Sequence, residues 1–210
     1  MIFKRLVVGP LSTNCYIFGS EISKEVVIID AGGNSDKIIE TVRKFNAQPK
    51  ALLLTHGHFD HTMKIDKILR HFDIPLMYNK KEFESGIFTQ KKADKWLKEG
   101  DTINIADLNL HVLETPGHSP GSICFYTKDV KNYKDLEIDG ILFSGDLIFR
   151  RSIGRSDIQG GNSNQLFESI RNKIMYNITF TDKFIIFPGH MGETFVGEER
   201  KMNQFKNYFL

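Results

Sequence analysis

One junction constrains this chain more than any other: the apolar run Ala51-Leu52-Leu53-Leu54 leads straight into Thr55-His56-Gly57-His58-Phe59-Asp60-His61. A short, wholly apolar run of this kind suits a strand buried on both faces. The residues after it place four ligand-type side chains, His56, His58, Asp60 and His61, in six positions. The strand end fixes the backbone, and the following loop lets alternating side chains converge. Imidazole and carboxylate together suit zinc, and iron or manganese as well. A polar loop that is merely histidine-rich would explain one such residue but not four at this spacing.

A metal held at one strand end needs ligands from other strand ends, and the sequence repeats the pattern three times. His118 stands in Thr115-Pro116-Gly117-His118-Ser119-Pro120-Gly121, after the apolar stretch Leu108 to Leu113. Asp146 follows Ser144-Gly145 and the run Ile141 to Phe143, and His190 follows Pro188-Gly189 and the run Phe184 to Phe187. In each case a strand feeds a glycine-containing turn that presents one metal-binding group, which argues for one shared site. The remaining histidines read as structural. His71 ends a helix, where an imidazolium complements the dipole, and His111 lies within a strand.

Around these junctions the elements follow from periodicity. Strands are expected at Ile2–Val8, Cys15–Phe18, Val26–Ile29, Pro75–Tyr78, Leu108–Leu113, Ser122–Thr127, Ile141–Ser144 and Phe184–Phe187. Asn34 or Ser35 caps a helix that carries Ile38, Ile39, Val42 and Phe45 on one face. A second amphipathic helix carries Ile65, Ile68, Leu69 and Phe72. Residues 80–98 read as a polar helix, a candidate for a mobile flap, with Lys80-Lys81 and Lys91-Lys92 on a solvated face. Residues 128–140 read as an extended hairpin loop, Gln165–Met175 as a helix and Val196–Tyr208 as a closing helix. Strands in two batches, each with helices, give two packed sheets with helices outside.

At 210 residues, with 40% hydrophobic and 26% charged residues, the chain suits one domain, 1–210, with an ordinary core. A net charge of +2 with no like-charge block argues against nucleic acid and membrane surfaces as partners. The N-terminus has no leader pattern, and no apolar run nears the ~18 residues of a membrane span. The expected location is the cytoplasm. Cys15 and Cys124 sit in strand-like apolar runs and are expected to be core thiols rather than a disulfide. Oligomeric state is not legible.

Taken together, these motifs resemble the metallo-β-lactamase superfamily, over about residues 2 to 200. The resemblance implies an α+β fold, an αββα four-layer sandwich of two mixed sheets flanked by helices, with the metal site at one edge. It also implies that His56, His58 and His118 hold one metal ion and Asp60, His61 and His190 another, with Asp146 bridging them. Asp30, in Ile28-Ile29-Asp30-Ala31-Gly32, matches the family's early aspartate and would orient a ligand histidine. Two divalent ions, zinc above iron or manganese, would sit about 3.5 Å apart and lower the pKa of a shared water, giving a bridging hydroxide. Asp60 and Asp146 would offset the cations and accept hydrogen bonds from that water.

Finer resemblance points to the glyoxalase II-like (hydroxyacylglutathione hydrolase-like) branch, through Gly145-Asp146-Leu147-Ile148-Phe149, Ser152-Ile153-Gly154-Arg155-Ser156-Asp157 and Pro188-Gly189-His190-Met191-Gly192-Glu193-Thr194. The implied substrate is a small molecule, an anionic thioester, with Arg150, Arg151 and Arg155 as its candidate contacts. Arg155 has an alternative role, pairing with Asp157 to brace the loop. The chain departs from that branch in three places. It ends at Leu210, so it is expected to be a short form without the C-terminal helical region that supplies basic glutathione contacts. Arg155 replaces a lysine. Asp157 and Gly192 replace tyrosines.

Three other functions are weighed against hydrolysis of thioesters. A mononuclear-iron persulfide dioxygenase would use His56, His118 and Asp146, but such enzymes tend to carry alanine where this chain has Phe59. A phosphodiesterase acting on RNA is disfavoured by the near-neutral charge. A non-catalytic metal-bound module would be expected to have lost some of the seven ligand-type residues, and here all are present.

Overall fold

A computed structural model describes residues 1–210. The first sheet has six strands in the order β1 (Ile2–Val8), β2 (Thr13–Gly19), β3 (Glu25–Ile29), β4 (Gln48–Leu53), β5 (Leu76–Asn79) and β6 (Lys95–Leu97). The first three strands pair antiparallel and the last four in parallel, so the sheet is mixed. The second sheet draws on β7 (Thr102–Ile105), β8 (Leu108–Glu114) and β9 (Ile123–Thr127). After the small hairpin of β10 (Asn132–Tyr133) and β11 (Leu136–Glu137) comes β12 (Gly140–Gly145). Another hairpin, β13 (Ile148–Phe149) with β14 (Ser152–Ile153), precedes β15 (Phe184–Pro188) and β16 (Thr194–Phe195). The second sheet's order is β16-β15-β12-β9-β8-β7, antiparallel except for the β12–β15 pair.

Side-chain alternation explains the layers. In β2, Tyr16 and Phe18 enter the core between the sheets, while Cys15 and Ile17 face outward under helices. In β12 and β15, Ile141, Phe143, Ile185 and Phe187 face the same inner core, and Leu142, Phe184 and Ile186 face the opposite outer layer. Both faces of each central strand are therefore buried, which is why these strands read as continuous apolar runs. Helix α1 (Ser35–Lys44) lays Ile38, Ile39 and Val42 on the first sheet. After the single turn α2 (Phe59–Thr62), α3 (Ile65–Phe72) adds Ile65, Ile68 and Leu69. On the far side, the second sheet is covered by the helix that follows the short α4 (Lys80–Glu84) in chain order, α5 (Ser163–Glu168), and by its π-helical continuation Ser169–Met175. The result is an αββα sandwich, as expected.

Several local expectations are corrected. Residues 80–98 form no flap: only Lys80–Glu84 is helical, and Lys95–Leu97 joins the first sheet as its edge strand. Phe88 and Leu97, both buried, supply the apolar anchors that override the segment's polar character. The closing helix is broken into α6 (Val196–Met202) and α7 (Lys206–Phe209). At the break, Asn203 leaves helical geometry and spends its side-chain amide on Ser152 O and Glu199 Oε2, at 3.0 and 2.7 Å, a side-chain alternative to helical bonding. His71 does end α3, but its Nε2 lies 3.1 Å from Arg43 Nη2. Cys15 and Cys124 are free and buried in opposite outer layers, and burial pushes the Cys124 thiol up to about 12. No helix is long and apolar enough to cross a membrane.

Candidate metal centre

Strands β3, β4, β8, β12 and β15 all end at the same edge of the sandwich, and each is followed by one or more of the residues singled out above. Asp30 follows β3, the His56–His61 segment follows β4, His118 follows β8, Asp146 follows β12 and His190 follows β15. Backbone hydrogen bonds tie these loops together. Ile123 donates to Thr55 O at 2.8 Å, Gly189 to Gly145 O at 2.8 Å and Asn14 to Gly189 O at 2.7 Å.

All seven residues converge. Ligand atoms of His56, His58 and His118 lie within 4.8 Å of one another, and so do those of Asp60, His61 and His190. His56, His61 and Asp146 form a third such group. Asp146 reaches both sides: Oδ1 is 3.4 Å from His61 Nε2, while Oδ2 is 3.6 Å from His118 Nε2 and 3.4 Å from His190 Nε2.

The rings are aimed by their other nitrogens. His61 Nδ1 donates to Asp30 Oδ2 at 2.9 Å, His56 Nδ1 lies 3.1 Å from Thr55 Oγ1, and His118 Nδ1 donates to Arg155 O at 2.7 Å. Each bond leaves Nε2 pointing into the site, the arrangement that fixes tautomer and orientation in metal centres. Asp30 also accepts from Thr55 N and Thr55 Oγ1 at 2.8 and 2.7 Å. It does so from a left-handed backbone (φ 58°), which an aspartate tolerates better than most residues.

Charge differs across the site. Burial, reinforced by the neighbouring His61 and His118, keeps His56 well below the ordinary histidine range. Burial likewise lowers His118. Burial would also lower His61, but Asp146 and Asp30 outweigh it and hold the ring well above that range. His190, opposed by burial, is raised by Asp146 and Asp60 to about 9. Asp146 is held well below the carboxylate range by His61 and His190, although burial opposes this.

These residues fit a metal. His58 turns Nδ1 to within 2.8 Å of His118 Nε2, which is itself 3.2 Å from His56 Nε2. His61 Nε2 and Asp146 Oδ1 are buried without a hydrogen-bond partner, and uncompensated polar groups of this kind are costly unless a ligand satisfies them. Clustered imidazoles and carboxylates are the donor set that divalent ions take.

The three arginines have different positions. Arg151 is committed elsewhere: Nη1 meets Glu199 Oε1 at 2.6 Å, Nη2 meets Glu198 Oε2 at 2.9 Å, and its own N–H donates to the fully buried Glu199. It braces the loop after β13 rather than facing the site, which corrects its reading as a substrate contact. Arg150 is not among the residues that line the cavity over the site, whereas Arg155 is. Arg155 makes a two-pronged pair with Asp157, at 2.9 and 3.0 Å. The cavity, of about 410 Å³, has an apolar wall of Leu11, Phe59, Phe149 and Ile158.

Sequence reasoning missed Thr13, whose Oγ1 donates to Asp60 Oδ2 at 2.8 Å, and the orienting role of Thr55. A hydroxyl next to a strand end carries no signal of its own. It also missed Glu82 and Glu199, two fully buried carboxylates.

Comparison with known proteins agrees with this geometry. The family model for the metallo-β-lactamase superfamily matches residues 8–190. The chain is similar to the "Probable metallo-hydrolase YqgX" of Bacillus subtilis, with 34% identity over 100% of this chain and 99% of the relative. It is also similar to the hydroxyacylglutathione hydrolase GloC of Haemophilus influenzae, with 31% identity over 95% of each. Among solved structures, the BLEG-1 B3 metallo-β-lactamase superposes with a TM-score of 0.85 at 34% identity, covering 98% of this chain and 99% of that one. ETHE1 from Myxococcus xanthus gives 0.82 at 25% identity, over 100% and 88%. TTHA1623, solved in a di-iron-bound form, gives 0.80 at 27% identity, over 96% and 99%. Fold, ligand geometry and family match converge, and the chain belongs to the metallo-β-lactamase superfamily.

Proposed function

We propose that this protein is a metal-dependent thioester hydrolase in which His56, His58 and His118 hold one divalent ion, Asp60, His61 and His190 hold a second, and Asp146 lies between them. The observation that carries this reading is the reach of Asp146, one oxygen toward His61 and the other toward both His118 and His190. Divalent ions held by these residues would supply an activated water at neutral pH and would stabilise the oxyanion that develops on the attacked carbonyl. Zinc suits the donors best, and the di-iron form of TTHA1623 keeps iron in play.

The chain's own residues supply the rest. No serine or cysteine lines the cavity, which supports water as the nucleophile. Asp146 Oδ1, buried and unpartnered, is placed to accept a hydrogen bond from it. Asp60 Oδ2 is oriented by Thr13, which aims that carboxylate at His190. The volume of the cavity suits a small molecule. Its apolar wall, and the commitment of Arg155 to Asp157, favour a substrate with an apolar body over one recognised by several anionic groups. The similarity to GloC supports a thioester, whose thiolate is a good leaving group. A dioxygenase reading needs only His56, His118 and Asp146 and would leave the convergence of Asp60, His61 and His190 without a purpose.

Metal analysis of protein purified without added metal, paired with hydrolysis of S-lactoylglutathione and of thioesters with longer apolar acyl chains, tests the proposal. Two metals per chain and turnover that rises with acyl length are expected. One iron per chain, no hydrolysis, and oxygen uptake with glutathione persulfide would overturn it in favour of the dioxygenase.

A further inference from the structure

Glu82, on the short helix α4, is fully buried, and no function described so far uses it. Its two oxygens take three hydrogen bonds from two different loops. Oε2 accepts from Gly57 N at 2.6 Å, between His56 and His58. Oε1 accepts from Ser119 Oγ at 2.7 Å and from Gly121 N at 2.6 Å, just past His118. The hydroxyl of Ser119 is itself steadied by Ser122 Oγ at 2.7 Å. One carboxylate thus joins the loop carrying two ligand histidines to the loop carrying the third.

The glycines of both motifs bear on this contact. A Cβ on Gly57 would stand 2.8 Å from Glu82 Oε2 and 2.5 Å from Phe88 Cβ. A Cβ on Gly121 would stand 2.7 Å from Glu82 N and 2.9 Å from Oε1. These glycines are required because the α4 carboxylate and backbone approach them closely, so the motifs record a partner that lies outside them. Helix α4 is in turn held in place: Asn79 Oδ1 caps it through Lys81 N at 2.9 Å, and Asn79 Nδ2 donates to Glu114 Oε1 at 2.9 Å. Glu114 is the last residue of β8, the strand that leads to His118.

We infer that Glu82 is a positioning residue for the His56–His58–His118 cluster, setting the separation of its two loops and thereby the cation affinity of that cluster alone. The cluster contains no carboxylate beyond the shared Asp146, so its affinity depends on how closely its three imidazoles are held together. Charge-assisted hydrogen bonds from backbone N–H groups are stronger and shorter than neutral ones, and a buried carboxylate spanning two loops is stiffer than a water-filled gap. The inference rests on the proposal that this cluster holds a cation.

The test is zinc titration of metal-free protein against a chromophoric chelator, for wild type, Glu82→Gln and Ser119→Ala, with cobalt(II) absorption spectra recorded in parallel. Glu82→Gln keeps the shape but turns an amide N–H₂ toward a backbone donor. The expected result is one zinc affinity weakened roughly 10- to 100-fold, the range seen when groups supporting metal ligands are removed. The second zinc affinity should be unchanged and the cobalt spectrum altered at one site. Ser119→Ala, which removes a single donor, should weaken the same affinity by less, and it serves if Glu82→Gln does not fold. Two unchanged affinities with a wild-type cobalt spectrum in a folded variant would overturn the inference. Equal weakening of both sites, in step with lower stability of the metal-free protein, would overturn it as well. A wild-type chain that takes up no zinc or cobalt overturns the cation proposal itself, and this inference with it.

Discussion

The two halves of the metal centre are built on opposite principles. In the cluster of His56, His58 and His118, burial lowers His56 and His118, and the supports are a threonine hydroxyl, a backbone carbonyl and the Glu82 bridge. The cluster of Asp60, His61 and His190 brings its own carboxylate and rests His61 on another, Asp30. One half holds by geometry, the other by charge. Asp146 contacts both and Thr55 stands between their supports, so the halves are distinct without being independent.

Asp146→Ala should break both at once. Removing the one carboxylate within reach of His61, His118 and His190 is expected to lower thioester hydrolysis by orders of magnitude, because both the proposed cation bridge and the acceptor for water disappear. Metal content should fall at both clusters. A variant that loses only one metal and keeps substantial turnover would mean that the clusters work separately.

Asp30→Asn should divide them. Asparagine accepts the left-handed backbone at this position, so the fold is expected to survive. His61 would then face an amide instead of a carboxylate. The charge-held cluster should lose roughly 10- to 100-fold in metal affinity, and the geometry-held cluster far less, through Thr55 alone. Chelator competition measures both. Equal losses would mean that the Asp30–Thr55–His56 chain transmits as strongly as the direct contact to His61.

How much of this was legible in the sequence follows from where each residue's partners lie. The strands around Cys15–Phe18 and Phe184–Phe187 were readable because burial on both faces leaves a local apolar signature. The seven ligand-type residues were readable because the same strand, glycine, ligand pattern recurs. Residues 80–98 were misread because their local polarity speaks for a solvated helix, whereas the strand at Lys95–Leu97 exists only through pairing with Leu76–Asn79. Glu82 was invisible for a related reason: its partners, Gly57, Ser119 and Gly121, lie 25 to 39 residues away. Arg151 looked available because the carboxylates that claim it, Glu198 and Glu199, lie 47 and 48 residues further on.

Phe59→Ala asks whether the cavity wall belongs to substrate rather than to metal. Phe59 sits between His58 and Asp60 yet is 59% exposed at the cavity. Its loss should raise KM for apolar acyl thioesters by roughly tenfold, in line with apolar area no longer buried, and leave metal content at both clusters unchanged. A loss of metal instead would make Phe59 a support of its own turn, and the comparison would then need a third contributor.

The smallest effect concerns the loop that presents His190. Met191 O accepts from Arg5 Nη1 at 3.2 Å, and the same guanidinium pairs with Glu193, which also meets Lys134 at 2.7 Å. Partial burial would raise the Glu193 carboxyl, but Lys134, with Arg5 behind it, outweighs this and holds it below the usual carboxylate range. A depressed folded-state value means that the pairing stabilises the protein fully above the unfolded value of about 4.3. That contribution is lost as pH falls through the folded value. Because these groups are substantially solvated, the expected difference between wild type and Glu193→Gln is at most about 1 kcal/mol at neutral pH, vanishing in acid. Melting curves of both proteins between pH 3 and 7 measure it. Convergence of the two curves below the folded value is the expected result. A gap that persists in acid would show that Glu193 supports the His190 loop through packing, so that this loop of the charge-held half also relies on geometry.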